Sequence, residues 1–168
     1  MLILQARLQK LLEIEKLAKK DVKELKEIVK FTDIRLEASR ALHVLLKETT
    51  ADVRTEACLQ NVLLIIDVLL DSINNEKEPV FNNPNSSMAN DTPENNYSEF
   101  KKQFSQLWFE IMKWEKTKIV HKKILVLLPE KVIKHLTKPL HMSDYLLSAF
   151  DLGQFFSEFI NSSNMEFV

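Results

Sequence analysis

The residues that could do chemistry are concentrated in a lysine-rich segment, residues 101–141. It contains ten lysines against three glutamates, together with Trp108, Trp114 and three histidines. Lysines bind phosphates and aromatic rings stack on unpaired bases, so the segment could contact RNA. The candidate contacts are Lys101, Lys102, Lys122 and Lys123. The segment has no arginine, the usual residue for paired hydrogen bonds to phosphates and bases, so any contact would be with the nucleic-acid backbone. The alternative is a solvated helix face.

The same region offers histidines and carboxylates but no arrangement typical of a catalytic or metal site. His121, His135 and His141 are separated by fourteen and six residues, which matches no helical ligand pair at i, i+4. We expect them to be surface or capping residues. Asp144 and Asp151 are seven residues apart and would share a helix face. Two such carboxylates could do acid–base chemistry, but helix capping or pairing with a lysine explains them better.

The only cysteine, Cys58, has apolar neighbours and no cation nearby to lower its pKa. We therefore expect it to be a small buried residue and not a nucleophile. A single cysteine cannot form a disulfide within the chain, which is typical of a reducing compartment. The apolar run from Val62 to Leu70 is far shorter than the ~20 residues that span a bilayer, and Asp67 interrupts it. We predict a soluble protein with no membrane partner.

Glycine usage restricts the fold most strongly, because Gly153 is the only glycine among 168 residues. Phosphate-binding loops, tight hairpins and nucleophile elbows need glycine where the backbone turns sharply or approaches a ligand. We therefore predict an all-α protein that is not an enzyme and binds no cofactor and no small-molecule substrate.

Leucine and valine recur at three- and four-residue spacing through residues 2–30, which indicates amphipathic helix. One long helix, two helices broken near Asp21, or a coiled-coil seam would all fit this repeat. Thr32 or Asp33 could cap the next helix, whose apolar face ends near Leu46. A longer helix over about residues 53–73 is apolar on all sides in its middle and should be buried.

Two helix starts share a pattern of Asp, an aliphatic residue, Arg, any residue, Glu and Ala. They begin at Asp33 and Asp52. The pattern is similar to helix starts in HEAT-type repeats, so we predict a HEAT/armadillo-like α-solenoid fragment.

Composition divides the chain into four segments. Residues 1–73 form an N-terminal helical block, and residues 74–98 are an Asn/Ser/Pro-rich stretch that we predict to be a flexible linker. Residues 99–153 form a second block, with a helix from about Ser98, another over 119–128, a new helix started by Pro129, an end at Pro139 and a last helix over 142–152. Residues 154–168 are a divergent tail.

A set of ordered matches lies within residues 104–153. It consists of Phe104, Trp108, Lys122-Lys123-Ile124-Leu125, Val132-Ile133, Leu136, Pro139, Met142, Asp144-Tyr145-Leu146 and Ala149-Phe150-Asp151-Leu152-Gly153. This order resembles the CCAAT-binding-factor domain of the nucleolar complex proteins, and most closely the nucleolar complex protein four family. His121, Lys134 and Gln154 depart from the family pattern. The leucine-rich helix expected after Gly153 is absent, so we expect a chain truncated or alternatively terminated within the domain.

The resemblance implies a non-catalytic, HEAT-like scaffold of the nucleus and nucleolus. Such a protein would act in small-subunit maturation and rRNA processing, with a nucleolar assembly-factor protein and the pre-ribosomal particle as partners. It also implies that Phe104, Trp108, Lys122, Lys123, Pro139, Asp144, Tyr145, Asp151 and Gly153 serve structure or interaction. The alternative is a nucleic-acid-binding module that contacts rRNA or a promoter element through residues 101–141.

Overall fold

The computed structural model describes residues 2–73 and 93–142. The chain divides into two compact units, Met1–Thr137 and Lys138–Val168. Within the described part of the second unit, Pro139–Met142 forms a 3-10 turn. The predicted last helix over 142–152 lies outside the described residues, apart from Met142.

The first unit is built from helices. They are α1 (Leu2–Glu13), α2 (Lys19–Val29), α3 (Thr32–Glu48), α4 (Glu56–Asp71), α5 (Pro93–Lys113) and α6 (Lys118–Leu127), followed by a π-helical turn over Leu128–Val132 and a 3-10 turn over Ile133–His135. No strand occurs in the described ranges, so the all-α prediction is confirmed for them.

Residues 2–30 form two helices, which decides between the alternatives that the repeat left open. The break lies at residues 14–18 and precedes Asp21. Asp21 lies in the first turn of α2 and stabilises its start, because its carboxylate accepts a hydrogen bond of 3.1 Å from the backbone N–H of Ala18. Leu17, between the helices, is buried.

Side-chain caps place the starts of two other helices. Thr55 accepts a hydrogen bond from the Cys58 N–H at the start of α4, and Thr117 accepts one from the Val120 N–H at the start of α6. The predicted cap of α3 by Thr32 or Asp33 is wrong, because Phe31 occupies the cap position without a side-chain bond. Thr32 is instead the first residue of the helix and is buried.

Helices two places apart along the chain pack together. α3 contacts α1 and α5, while α4 contacts α2 and α6, and further contacts join α2 to α3 and α1 to α4. Lys123 of α6 donates to Gln60 of α4 at 2.9 Å, and Lys131, just after α6, donates to Asp67. Because residue numbers rise together across these pairs, α4 and α6 run parallel. The helical-repeat interpretation itself stays a prediction.

α5, which packs against α3, has a stripe of aromatic side chains at helical spacing. Phe100, Phe104 and Trp108 are almost fully buried. Neighbouring ring centroids lie 5.5 Å apart for Phe100–Phe104 and 6.4 Å apart for Phe104–Trp108, within the range of favourable ring contacts. This aromatic stripe is therefore part of the core.

Arg35 is a buried cation that joins three helix ends. Its guanidinium donates to the carbonyls of Val29, Lys30 and Ser72 and to the Ser72 hydroxyl, at 2.8–3.3 Å. The arginine of the second pattern, Arg54, lies in a turn before α4 and stacks on Trp114 at 4.7 Å. The shared pattern therefore marks one helix start and one turn, and the prediction that Asp52 opens a helix is wrong.

The C-terminal part of the first unit departs from the predicted helices. Pro129 does not start a separate α-helix: it lies in the π turn, which follows α6 directly. Proline has no N–H, and its ring crowds the carbonyl four residues before it, so the backbone widens there. α5 begins at Pro93, ahead of the predicted start at Ser98, so residues 93–98 of the predicted linker are helical. The fourfold division of the chain stays a prediction.

Candidate interaction groove

The motif residues of α5 are buried in the folded chain. Phe104 and Trp108 have no exposed side-chain surface. They cannot touch a partner of the folded chain, and their contribution is to the packing of α5.

The four candidate RNA contacts lie on two helices with different neighbours. Lys122 and Lys123 are exposed on α6, which packs against α4. Lys102 is exposed on α5, which packs against α3, and pairs with Glu99 at 3.6 Å. The ammonium of Lys101 lies 5.8 Å from the centre of the Tyr97 ring. The structure therefore divides these lysines into two separate pairs.

Other lysines of the basic segment have partners within the fold. Lys113 pairs with Glu110 at 2.8 Å. Lys116 is half-buried and donates to the Met112 carbonyl at 2.8 Å, while burial lowers its pKa to about 8. The net charge of the segment therefore overstates the charge that it presents to solvent.

The remaining motif residues belong to the second unit. Pro139 is exposed and begins the 3-10 turn. Asp144, Tyr145, Asp151 and Gly153 lie outside the described residues.

A groove of about 590 Å³ lies between α4 and α6. Its apolar lining comes from Leu17, Leu63, Leu64, Val126 and Leu127. Leu17 and Leu63 are buried and form its floor, Leu64 and Leu127 are half-buried, and Val126 is 48% exposed. The parallel packing of α4 and α6 therefore leaves an accessible aliphatic channel.

Polar groups of different charge flank the two ends of the groove. Lys16, Gln60, Lys122 and Lys123 lie toward the N-terminal half of α4, and Asp67, Glu130 and Lys131 lie toward its C-terminal half. The Lys131 ammonium pairs with Asp67 at 2.5 Å and with Asp71 at 2.7 Å. The hydrogen bonds that the Lys131 ammonium donates to these two carboxylates raise its pKa. One end is thus basic, and the other contains an internal ion-pair cluster.

Sequence reasoning missed this groove because it treated the whole of residues 53–73 as a buried helix. A signal was present in the polar residues of α4. Glu56, Gln60, Asp67 and Asp71 recur at intervals of four, seven and four residues, which places them along one face. That polar stripe could have indicated where the helix meets solvent.

The prediction that the histidines are surface or capping residues is wrong for His135. Its side chain is 4% exposed, and Nδ1 is hydrogen-bonded to the Tyr97 hydroxyl at 3.0 Å. Burial, helped by the charges of Lys134, Lys101 and Arg35, lowers its pKa to about 4. The imidazole is therefore neutral at physiological pH and belongs to the packing between α5 and the 3-10 turn.

The structure places Cys58 as expected, buried near the start of α4. Burial raises the pKa of its thiol, which disfavours the reactive thiolate. Among the described residues no group of three or more His, Cys, Asp or Glu side chains is placed to hold a metal ion. Over the same residues, the search found no helix with the length and hydrophobicity to cross a membrane.

Comparison with known proteins gives partial similarity. A stretch of 55 residues, 33% of this chain, is 34% identical to Nucleolar complex protein 4 homolog B of Xenopus laevis. Stretches of the same length are 36% identical to Nucleolar complex protein 4 homolog of Mus musculus and 34% identical to that of Danio rerio. The matched stretch covers 10% of the Xenopus laevis protein and 11% of the Mus musculus protein.

No family model matches the chain, and no solved structure matches it. The assignment of a CCAAT-binding-factor domain therefore stays a prediction. Over a third of its length, the chain is similar to nucleolar complex protein 4 homologues.

Proposed function

We propose that this chain is a non-catalytic scaffold of nucleolar ribosome assembly that works through protein contacts. The observation that carries the proposal is the 55-residue similarity to proteins named as nucleolar complex proteins. The likeness is partial, so the function of those longer proteins is extended here to a chain that matches about a tenth of their length.

The packing of the helices supports an α-solenoid as the form of this scaffold. In a solenoid each helix pair stacks on the next, so helices two places apart lie side by side and run parallel. The contacts of α3 with α1 and α5, and of α4 with α2 and α6, follow this arrangement. An α-solenoid presents extended surfaces to other macromolecules and suits a scaffold.

We place this function in the nucleolus, in small-subunit maturation and rRNA processing. The partners would be a nucleolar assembly-factor protein and the pre-ribosomal particle. A nucleolar position is supported by the names of the similar proteins, while the small-subunit step follows from the family resemblance of residues 104–153.

Direct binding to rRNA or to a promoter element is the weaker alternative. The lysines that would make it are divided between α5 and α6, and Lys102, Lys113 and Lys131 are ion-paired within the fold. The observed positions therefore favour protein contacts over a continuous phosphate-binding surface.

Expression of the tagged chain in cultured cells, followed by gradient sedimentation of nuclear extract, tests the proposal. We expect the chain to sediment with particles that contain small-subunit rRNA precursors and to localise to nucleoli. Trp108→Ala, which removes a buried ring, should lose both properties, whereas Lys10→Glu at an exposed site should retain them. A wild-type chain that stays at the top of the gradient and outside nucleoli would reject the proposal.

A further inference from the structure

We propose that the groove between α4 and α6 binds an amphipathic helix with acidic side chains, supplied by a protein partner. The inference rests on the proposed scaffold function and deepens it, because it names the chemistry of the partner and the surface that receives it.

The shape of the groove suits a helix. Two parallel helices leave a channel between them, and a third helix packs into such a channel with a ridge of its own side chains. From Gln60 to Asp67, the α4 side of the groove is roughly 10 Å long at 1.5 Å per residue, or about two turns. A bound helix would place two or three aliphatic side chains, at i, i+3/i+4 and i+7 spacing, over the groove.

The apolar lining of the groove provides accessible surface that a bound helix could bury. Leu64, Leu127 and Val126 are partly or largely accessible in the free chain. Contact with aliphatic side chains would remove this surface from water, at roughly 25 cal/mol per Å² of apolar area.

The charges determine which helix fits. Lys16 and Lys123 flank the same end, and no acidic residue among the described groove-lining residues lies there with them. Lys123 donates to the uncharged amide of Gln60, so this hydrogen bond does not cancel its charge. At the opposite end Lys131 is already paired with Asp67 and Asp71. The groove therefore complements a helix that has acidic residues over its basic end and an apolar stripe beneath.

The same lining argues against RNA as the occupant. Single-stranded RNA is held by aromatic stacking and by arginine or lysine contacts to phosphates. Among the residues that the structure describes, those that line the groove include lysines, but no aromatic side chain and no arginine. The aliphatic side chains provide apolar surface that a peptide helix can bury, but they provide no ring on which a base can stack.

Fluorescence anisotropy with three labelled 18-residue peptides tests the inference on the full chain. The first peptide has leucines at i, i+4, i+7 and i+11 with glutamates beside them, the second replaces the glutamates by lysines, and the third replaces the leucines by serines. We expect the first peptide to bind at least tenfold more tightly than either control. Equal binding of the first and second peptides would overturn the charge argument, and no binding of the first would overturn the proposal.

Variants of groove-lining residues test the location of the binding site. Lys16→Glu/Lys123→Glu should weaken binding of the first peptide at least tenfold, and Val126→Asp should weaken it severalfold. Lys10→Glu/Lys23→Glu makes the same charge change at exposed residues outside the groove lining and should leave binding within twofold of the wild type. Circular dichroism and thermal melting of each variant check its fold, and Lys16→Ala/Lys123→Ala provides a milder second test. An unchanged affinity in Lys16→Glu/Lys123→Glu and in Val126→Asp would move the site elsewhere and overturn the proposal.

Two further measurements identify other occupants. A 20-nucleotide oligo(U) that displaces the first peptide and binds more tightly would make the groove an RNA site and overturn the proposal. A chain that dimerises in sedimentation velocity and loses peptide binding as it dimerises would make the occupant a second copy, which also overturns it.

The groove and the scaffold function can fail separately. Absence of peptide binding in a chain that still sediments with pre-ribosomal particles would reject the groove alone. Peptide binding in a chain that never reaches those particles would reject the scaffold function and support the groove.

Discussion

Two helix–helix pairs of this molecule, α3 with α5 and α4 with α6, differ in how completely their apolar side chains are buried. In the first pair, α5 packs against α3 and has the stripe Phe100, Phe104 and Trp108, which is almost fully buried. The α4–α6 contact leaves an open channel with aliphatic walls and charged ends. Apolar side chains are therefore covered in the first pair, while part of the aliphatic surface in the second pair stays accessible. The following substitutions test this difference.

The largest effect is expected for Trp108→Ala, which removes a fully buried ring from α5. Removing a fully buried aromatic side chain costs about 3–5 kcal/mol, because apolar burial is lost and a cavity remains. Urea denaturation followed by circular dichroism measures this change in the free energy of unfolding. A loss below about 1 kcal/mol would show that the stripe does not carry the stability assigned to it.

The next largest effect is expected to be a pH dependence of the unfolding free energy that is due to His135, which packs against α5. Its pKa is lowered from 6.5 to about 4 in the folded chain. Between those values the unfolded chain binds a proton that the folded chain does not, so stability is complete above pH 6.5, falls as pH drops toward 4, and changes no further below that. We expect a loss of about 1–3 kcal/mol across this window.

His135→Gln keeps a polar side chain but removes this titration. Urea denaturation of both proteins from pH 7 to pH 4 should show a smaller slope for the variant. Equal slopes would mean that other groups, such as the carboxylates, account for the whole pH dependence.

A smaller effect on stability is expected for Lys131→Ala, at the end of the groove that contains the ion-pair cluster. The lysine bridges Asp67 and Asp71, all three side chains being about one-third exposed. Pairs of this exposure contribute about 0.2–1 kcal/mol, and added salt weakens them. Thermal melting at low and high salt should show a wild-type advantage that shrinks at high salt. An advantage that grows with salt would contradict the ion-pair explanation.

The smallest effect on stability is expected for Val126→Ala, in the lining of the groove between α4 and α6. Val126 is 48% exposed, so truncation creates no internal cavity and should change the free energy of unfolding by about 0.5 kcal/mol or less. Urea denaturation of Val126→Ala and Trp108→Ala in parallel compares their losses of unfolding free energy directly. A loss comparable to that of Trp108→Ala would show that the groove belongs to the core.

The sequence predicted those features that depend on local periodicity. The apolar spacing predicts a helix over residues 119–128, and α6 runs from Lys118 to Leu127, since Thr117 caps its start. The aromatic residues of α5 also have helical spacing, and they lie in the core.

Features that depend on tertiary contacts could not be predicted in the same way. His135 is buried because the 3-10 turn brings it to Tyr97, which is 38 residues away in the sequence. The groove exists because Gln60 and Lys123, 63 residues apart, are brought together by the parallel packing of α4 and α6. Arg35 and Arg54 occur in the same local pattern, yet only Arg35 is buried among helix ends, because Ser72 comes to it from the end of α4.

The position of Cys58 gives the protein an internal reporter. Its thiol is buried in the first turn of α4, next to the cap that Thr55 makes with the Cys58 N–H. We expect a disulfide reagent in excess to modify this sulfur when that turn opens, so that the labelling rate follows the frequency of opening. Since Cys58 is the only thiol in the chain, each molecule is labelled once, and the two sides of the fold can be compared by their effects on a single chemical rate.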